Sequence, residues 1–287
     1  MKSAPGKSSE RSRIHSGGRA SHGPAQAAPP SKIERAAQIL DILETAHPEA
    51  KCALDYRNPF ELVSATILSA QCTDERVNQV TPALFRRYPD AQKMARAKPE
   101  DLEAIVRPTG FFRSKSKSLL GCASALAERH GGEVPRTMDE MTALPGVGRK
   151  TASVVLGHAY DIAEGIAVDT HVFRVTNRLA IARADDPLEV ERQLMAIIPR
   201  ERWTRTTDLV IFHGRKICIA RRPLCGKCPV FALCRWPLRQ AYAMGETPRA
   251  PRPAKRGPRK ANAGTKAAAA KAGAPKVAAG KKARARQ

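Results

Sequence analysis

"LPGVGRKTA", residues 144–152, is the stretch from which the fold can be read outward. Just before it, Thr137 and Glu140 are spaced as a capping box ahead of Met141 and Leu144, which predicts a short helix ending near Leu144. Pro145 stops that helix. Gly146 and Gly148 allow positive φ or close backbone approach. Arg149 to Ala159 then reads as a second helix. Helix, glycine turn, helix: the free N–H groups at the second helix's start point outward and, with the helix dipole, suit an anion. An ordinary tight turn between two packed helices gives the same string, so the flanking residues have to separate the two readings.

Lys150 stands in the first turn of the second helix, at the positive end of the dipole, where a lysine is normally unfavourable. The same field disfavours its charged form, and a neutral amine can form a Schiff base. Arg149 beside it cannot deprotonate and suits a phosphate contact. The stretch resembles a helix-hairpin-helix motif, which grips a DNA phosphate through its backbone and positions without reading sequence. A nucleophilic amine attacking a sugar carbon needs a nearby carboxylate to move protons and steady positive charge. "IAVDTHVFRV", residues 166–175, offers Asp169, nineteen residues beyond Lys150. Asp169 also suits the N-cap of a helix starting near Thr170, and the two roles are compatible. His171 reads either as a phosphate contact or as a packed side chain.

Charge points to the same partner. The chain of 287 residues carries 50 Lys+Arg against 27 Asp+Glu, a formal net charge of +23. Residues 1–31 hold five Lys/Arg and one Glu, and residues 241–287 hold thirteen Lys/Arg and one Glu. Between them, 32 basic side chains still outnumber 25 acidic ones. A positive surface attracts polyanions, of which nucleic acid is the commonest. No apolar run approaches the ~20 residues of a membrane span, and the N-terminus lacks the apolar core of a secretory signal. Residues 1–31 and 241–287 are expected to be disordered basic tails, too poor in apolar residues to form a core.

Between the tails the apolar residues recur at helical spacing, with no alternating strands, so the fold class expected is all-α. Ile33, Ala36, Ala37, Leu40 and Leu43 mark a first helix. Asn58, Pro59 and Glu61 open another, and "FELVSATILSA" is apolar on nearly every side, which predicts a central buried helix. Asp186, Pro187 and Glu189 repeat the opening device before Val190, Leu194 and Ile197.

Four of the seven cysteines cluster as Cys218-x6-Cys225-x2-Cys228-x5-Cys234. Four thiolates within seventeen residues can close around one metal centre. Structural zinc usually shows two close pairs, and only one exists here. The loop carries Arg221, Arg222 and Lys227, which a rigid centre would hold out toward a DNA backbone. Cys52, Cys72 and Cys122 are scattered and read as ordinary packed residues.

Gly-x-Gly-Arg-Lys-Thr, Val-Asp-Thr-His and the x6-x2-x5 cysteine loop together resemble the endonuclease III family of bifunctional DNA glycosylase/AP lyases. "NPFELVSATILSAQCTDERVN" (58–78), "TGFFRSKS" (109–116) and "FHGRKICIARRPLCGKCP" (212–229) extend the resemblance, which runs from about residue 32 to 238. It implies two helical lobes flanking a DNA-binding cleft. One is a six-helix bundle over 52–162 with the helix-hairpin-helix. The other is discontinuous, joining 32–51 to 163–240, and holds a 4Fe–4S cluster on the four cysteines. Lys150 falls on the family's nucleophile and Asp169 on its essential carboxylate. Gln71 matches the residue that fills the gap left by an extruded nucleotide, and Phe111 an apolar wedge that is often leucine. Gly146, Val147, Gly148, Arg149, Thr151, His171, Arg221, Arg222 and Lys227 are the other expected DNA contacts. The expected partner is double-stranded DNA with damaged pyrimidines or abasic sites, bound by a monomer in the cytoplasm, near the nucleoid if the source is bacterial. Mismatch-type thymine or uracil glycosylases share the fold and stay open as an alternative. So does a non-enzymatic DNA-binding or redox-sensing module, although such a module has no need of both Lys150 and Asp169. A sister group that removes adenine lacks a lysine at the nucleophile position.

Overall fold

A computed structural model describes residues 30–248 of the chain. The expected tails 1–31 and 241–287 therefore lie largely outside the described residues. Twelve α-helices and no strand are found among the described residues. In chain order they are α1 (Lys32–Ala46), α2 (Pro59–Leu68), α3 (Asp74–Arg87), α4 (Ala91–Ala95), α5 (Pro99–Val106) and α6 (Phe112–Arg129). They continue with α7 (Met138–Thr142), α8 (Arg149–Tyr160), α9 (Thr170–Leu179), α10 (Pro187–Met195), α11 (Trp203–Lys216) and α12 (Arg239–Ala243).

Side-chain caps set most of the starts. Ser31, Asn58, Thr73, Asp90, Thr137, Asp169 and Asp186 each accept a hydrogen bond from the first turn of the helix that follows. Ser31 and Glu34 form a full capping box, one that opens inside the expected tail. At α7 the device is altered: Thr137 Oγ1 accepts from the Glu140 N–H, and its hydroxyl donates to the Glu140 carboxylate instead of leaving the Thr137 backbone N–H to be capped.

Two apolar cores result. The first gathers α2 to α8 around Leu62, Leu68, Leu84, Met94, Leu102, Leu119, Leu126 and Leu156, with α2 buried on nearly every side. It gathers seven helices, two of which, α4 and α7, are single turns of five residues. Cys122 is buried in this core, and Cys52 and Cys72 pack against it. The second core joins Ile39, Leu40 and Leu43 of α1 to Val172, Val175, Leu194, Leu209 and Val210. The N-terminal helix thus packs with the C-terminal half. Burying a leucine contributes roughly 1.5–3 kcal/mol, so each core holds several such contributions.

Buried Arg35 on α1 fastens this second unit. Its guanidinium donates to the Leu179 and Ala180 carbonyls at 2.6 and 2.7 Å, and to Leu233 O at 3.1 Å. A cation at the end of α9 satisfies carbonyls that the helix leaves open. Arg205 on α11 reaches the Glu44 carboxylate at 2.6 Å and the Ala50 carbonyl, closing the other end.

One boundary differs from the sequence expectation. Residues 241–243 belong to α12 and not to a tail, because Tyr242 stacks on Trp236 with ring centroids 5.2 Å apart. No helix among the described residues is long and apolar enough to cross a membrane.

Candidate DNA-repair site

The hairpin turns as its glycines demand, but the two glycines differ. Gly146 has φ +79°, and a Cβ there would lie 2.6 Å from Ser118 Cβ on α6. Gly148 has φ −94°, and its hypothetical Cβ meets nothing within 4 Å. Only the first glycine is required by the fold. The second serves open space at the head of α8, where no side chain caps the helix. The earliest intrahelical bond runs from Ala152 N to Gly148 O, so the N–H groups of Arg149, Lys150 and Thr151 precede the helical ladder. Val147 does not share this position. Its N–H donates to Leu144 O at 3.1 Å and its side chain is buried, so it anchors the turn.

Lys150 is exposed, and Arg149 is committed to the fold. Arg149 Nε lies 3.1 Å from Glu191 Oε2 on α10. The segment leading to α9 runs past the same pair: a Cβ on Gly165 would collide with Glu191 Oε1 and lie 3.5 Å from Arg149 Nη2. This packing brings the approach to Asp169 against the first turns of α8.

Asp169 caps α9. Its Oδ1 accepts from the His171 and Val172 N–H groups at 2.8 and 2.7 Å. Among the described residues, no hydrogen bond reaches its Oδ2. One carboxylate oxygen holds the cap and the other stays open. His171 is half-buried, and its Nδ1 sits 3.2 Å from Arg174 Nη2. Burial pushes the His171 imidazole below its ordinary value, with Asp169 opposing.

Gln71 and Phe111, far apart in sequence, share a rare conformation and one concavity. Their φ values are +52° and +47°, the left-handed region that non-glycine residues seldom occupy. Such residues persist when their surroundings over-determine them, and they cluster at functional sites. Both line a concavity of about 270 Å³ together with Gly146, Ser118 and Lys115. Phe111 is 66% exposed, a large apolar ring held out into solvent.

The four clustered cysteines line one cavity with Arg178, His213, Trp236 and Arg239. Among the described residues, no three His, Cys, Asp or Glu side chains are placed to hold a single metal ion. Burial, then the neighbouring thiols, push Cys228 up to about 12 and raise Cys225 and Cys234 as well. Thiols so raised become thiolate beside a cationic centre. Arg178 Nη1 donates to Cys218 Sγ at 3.4 Å, and His213 Nε2 lies 3.6 Å from Cys228 Sγ. Arg178 also donates to the Ile219 and Ala220 carbonyls at 2.9 and 2.7 Å, which fixes the start of the loop. Arg221, Arg222 and Lys227 are exposed along it.

Arg178, Glu191 and Lys115 were not singled out from sequence. Arg178 follows Arg174 at helical spacing in "HVFRVTNR", a pattern that was available. Nothing in the string marks Lys115 or Glu191 as buried.

Comparison with known proteins agrees with this geometry. Residues 64–200 match the family described as HhH-GPD superfamily base excision DNA repair protein. Endonuclease III of Synechocystis sp. is 52% identical over 204 residues, 71% of this chain and 93% of that one. Endonuclease III of Bacillus subtilis is 46% identical, covering 68% and 90%. A solved non-covalent endonuclease III–DNA complex superimposes with a TM-score of 0.68 at 45% identity, covering 72% of this chain and 96% of that one. A solved thermostable thymine-DNA glycosylase, at 21% identity, shares the fold. With a relative more than half identical along nearly its whole length, and with the glycine hairpin, the Asp169 cap and the cysteine cavity all in place, the chain belongs to the endonuclease III family.

Proposed function

We propose that the chain is a base-excision repair DNA N-glycosylase with AP lyase activity on double-stranded DNA. Its substrates are oxidised or ring-saturated pyrimidines and abasic sites, met where the genomic DNA lies, in the cytoplasm of a bacterial cell. The observation that carries this reading is the division of labour at Asp169, whose Oδ1 is spent on the α9 cap while Oδ2 is free. It stands at one helix start and Lys150 at another. The relatives' name and their solved DNA complexes support the choice of substrate.

Phosphates of the bent strand meet the uncapped N–H groups at the head of α8, with Arg221, Arg222 and Lys227 adding charge from the loop. Extruding a base costs roughly a few kcal/mol, least for a damaged one. Gln71 and Phe111 enter the gap. The unprotonated Lys150 Nζ attacks the anomeric carbon, and the glycosidic bond breaks with its electrons leaving on the base. Asp169 steadies the cationic sugar and passes protons through Oδ2. The ring opens to a protonated Schiff base. Loss of a proton from the carbon next to it then expels the 3′ phosphate ester, and hydrolysis frees Lys150.

Cys218, Cys225, Cys228 and Cys234 would hold the 4Fe–4S cluster. When bound, it supplies four metal–thiolate bonds that cross-link the loop. The basic residues between Cys218 and Cys228 then present a rigid surface to the backbone.

Borohydride trapping on a duplex with one dihydrouracil or thymine glycol tests the reading. A covalent adduct with the wild type and none with Lys150→Ala is expected. No adduct from folded, cluster-loaded protein on either lesion or on an abasic site overturns it.

A further inference from the structure

Lys115 is an anomaly that the mechanism leaves unused. It sits on α6 in "FFRSKSKS", among five other Lys/Arg and Ser residues of which Arg113, Ser114 and Lys117 are exposed, yet it is only 4% exposed itself. Burying an ammonium is costly, and burial does push this one below its ordinary lysine value. Its Nζ donates to the Thr109 carbonyl at 2.7 Å. That carbonyl opens the turn Thr109–Gly110–Phe111, in which Gly110 has φ +71° and Phe111 φ +47°. Two successive positive-φ residues persist where their surroundings hold them, and the Lys115 bond ties the base of the turn beside the Gly110 N–H bond to Arg107 O at 3.2 Å. An ammonium has three donors. Among the described residues only the one to Thr109 is used, and Lys115 lines the same concavity as Gln71.

The placement along α6 is regular. Phe111 precedes the helix, Lys115 follows one turn later, and Ser118 one turn after that, against Gly146 of the hairpin. A single helical stripe therefore carries the aromatic wedge and the phosphate-gripping turn in fixed register.

We propose that Lys115 is the positioning residue of the wedge. It holds the 109–111 turn so that the Phe111 ring projects in register with Gln71, and the insertion of both into the duplex depends on it. This rests on the reading of Gln71 and Phe111 as the parts that enter DNA. Lys115 touches neither the sugar nor the leaving base. Its loss should weaken extrusion of an intact damaged base far more than elimination at a site that has already lost its base.

The experiment compares wild type, Lys115→Met and Lys115→Arg on two duplexes, one with dihydrouracil and one with a preformed abasic site. A 2-aminopurine beside the lesion reports base extrusion. Lys115→Met should lower glycosylase kcat/KM by about tenfold or more, the scale set by a small misplacement. Its lyase rate should fall at least threefold less, the 2-aminopurine rise should shrink, and Lys115→Arg should recover part of both. In a Phe111→Ala background, which still folds if only an exposed ring is removed, Lys115→Met should add little, because the wedge is already gone. Equal losses on both duplexes, or full additivity with Phe111→Ala, would overturn the proposal. Wild-type and Lys150→Ala trapping on the same duplexes keeps the questions apart: absence of any wild-type adduct sinks the glycosylase reading, whereas a normal adduct with an unchanged Lys115→Met sinks only this one.

Discussion

Arg149 Nε and Glu191 Oε2 lie 3.1 Å apart, so the first residue of the hairpin's second helix is tied to α10 of the second core. The carboxylate is the buried partner, with its side chain 9% exposed against 43% for the arginine. Removing the arginine strands a charge that has lost its solvent. Arg149→Ala should therefore cost about 1–2 kcal/mol of stability, less than a fully buried pair because the guanidinium is half in water. It should hardly change the salt dependence of DNA affinity, since the side chain is already occupied. Anisotropy titrations over a salt series decide this: a slope reduced by about 0.9 would instead assign Arg149 a phosphate.

The Asp169 cap separates structure from chemistry in one residue. Asparagine keeps an oxygen that can accept from His171 and Val172 N–H, so Asp169→Asn should retain the cap. Asp169→Ala should lose about 1 kcal/mol of stability with it. Both should lose catalysis by about 100-fold or more, the ordinary range for a positioned acid–base group. Thermal melts beside single-turnover rates check the pair. An active Asp169→Asn would reduce Asp169 to a cap.

Gly146 and Gly148 should fail differently. At Gly146 the left-handed φ and the 2.6 Å approach to Ser118 both oppose a Cβ. Gly146→Ala should cost about 1 kcal/mol or more in stability, partly relieved by Ser118→Gly. Gly148→Ala meets nothing within 4 Å in the free protein, so its melting temperature should stay put. Its affinity for a stable abasic analogue should drop, because the added methyl occupies the space left for a phosphate. An unchanged affinity would remove Gly148 from the contact surface.

These contrasts show what the string could and could not reveal. Caps at Asn58, Thr137, Asp169 and Asp186 are local, so spacing located those helix starts. The cysteine spacing is local as well. The Val147 N–H has a partner three residues back, a bond visible only once the turn is built. The commitment of Arg149 to Glu191 spans 42 residues, and no periodicity announces it. Lys115 looks like its surface neighbours until α6 is placed against the first core. Long-range pairing and burial, not local propensity, are what the sequence conceals.

Arg178 gives the most direct test of the cysteine loop as a DNA-facing surface. One guanidinium reaches Cys218 Sγ, the Ile219 and Ala220 carbonyls, and the Trp236 ring at 4.2 Å. It lies under the exposed segment that carries Arg221 and Arg222, and it touches the loop by its backbone, so it acts on the position of those arginines and not on DNA. Arg178→Met keeps an unbranched apolar stem and removes the guanidinium, with both its donors and its contact with the Trp236 ring. Amide exchange should then quicken in residues 219–224 while the cores stay protected, because the carbonyls that pinned the segment are released. Affinity for an abasic-analogue duplex should fall by roughly tenfold, the equivalent of about 1.4 kcal/mol. The single-turnover rate at saturating enzyme should hold, since Lys150 and Asp169 sit on α8 and at the head of α9. If exchange quickens and affinity does not move, the loop is a brace for the second core, and the phosphate contacts assigned to Arg221 and Arg222 must lie elsewhere.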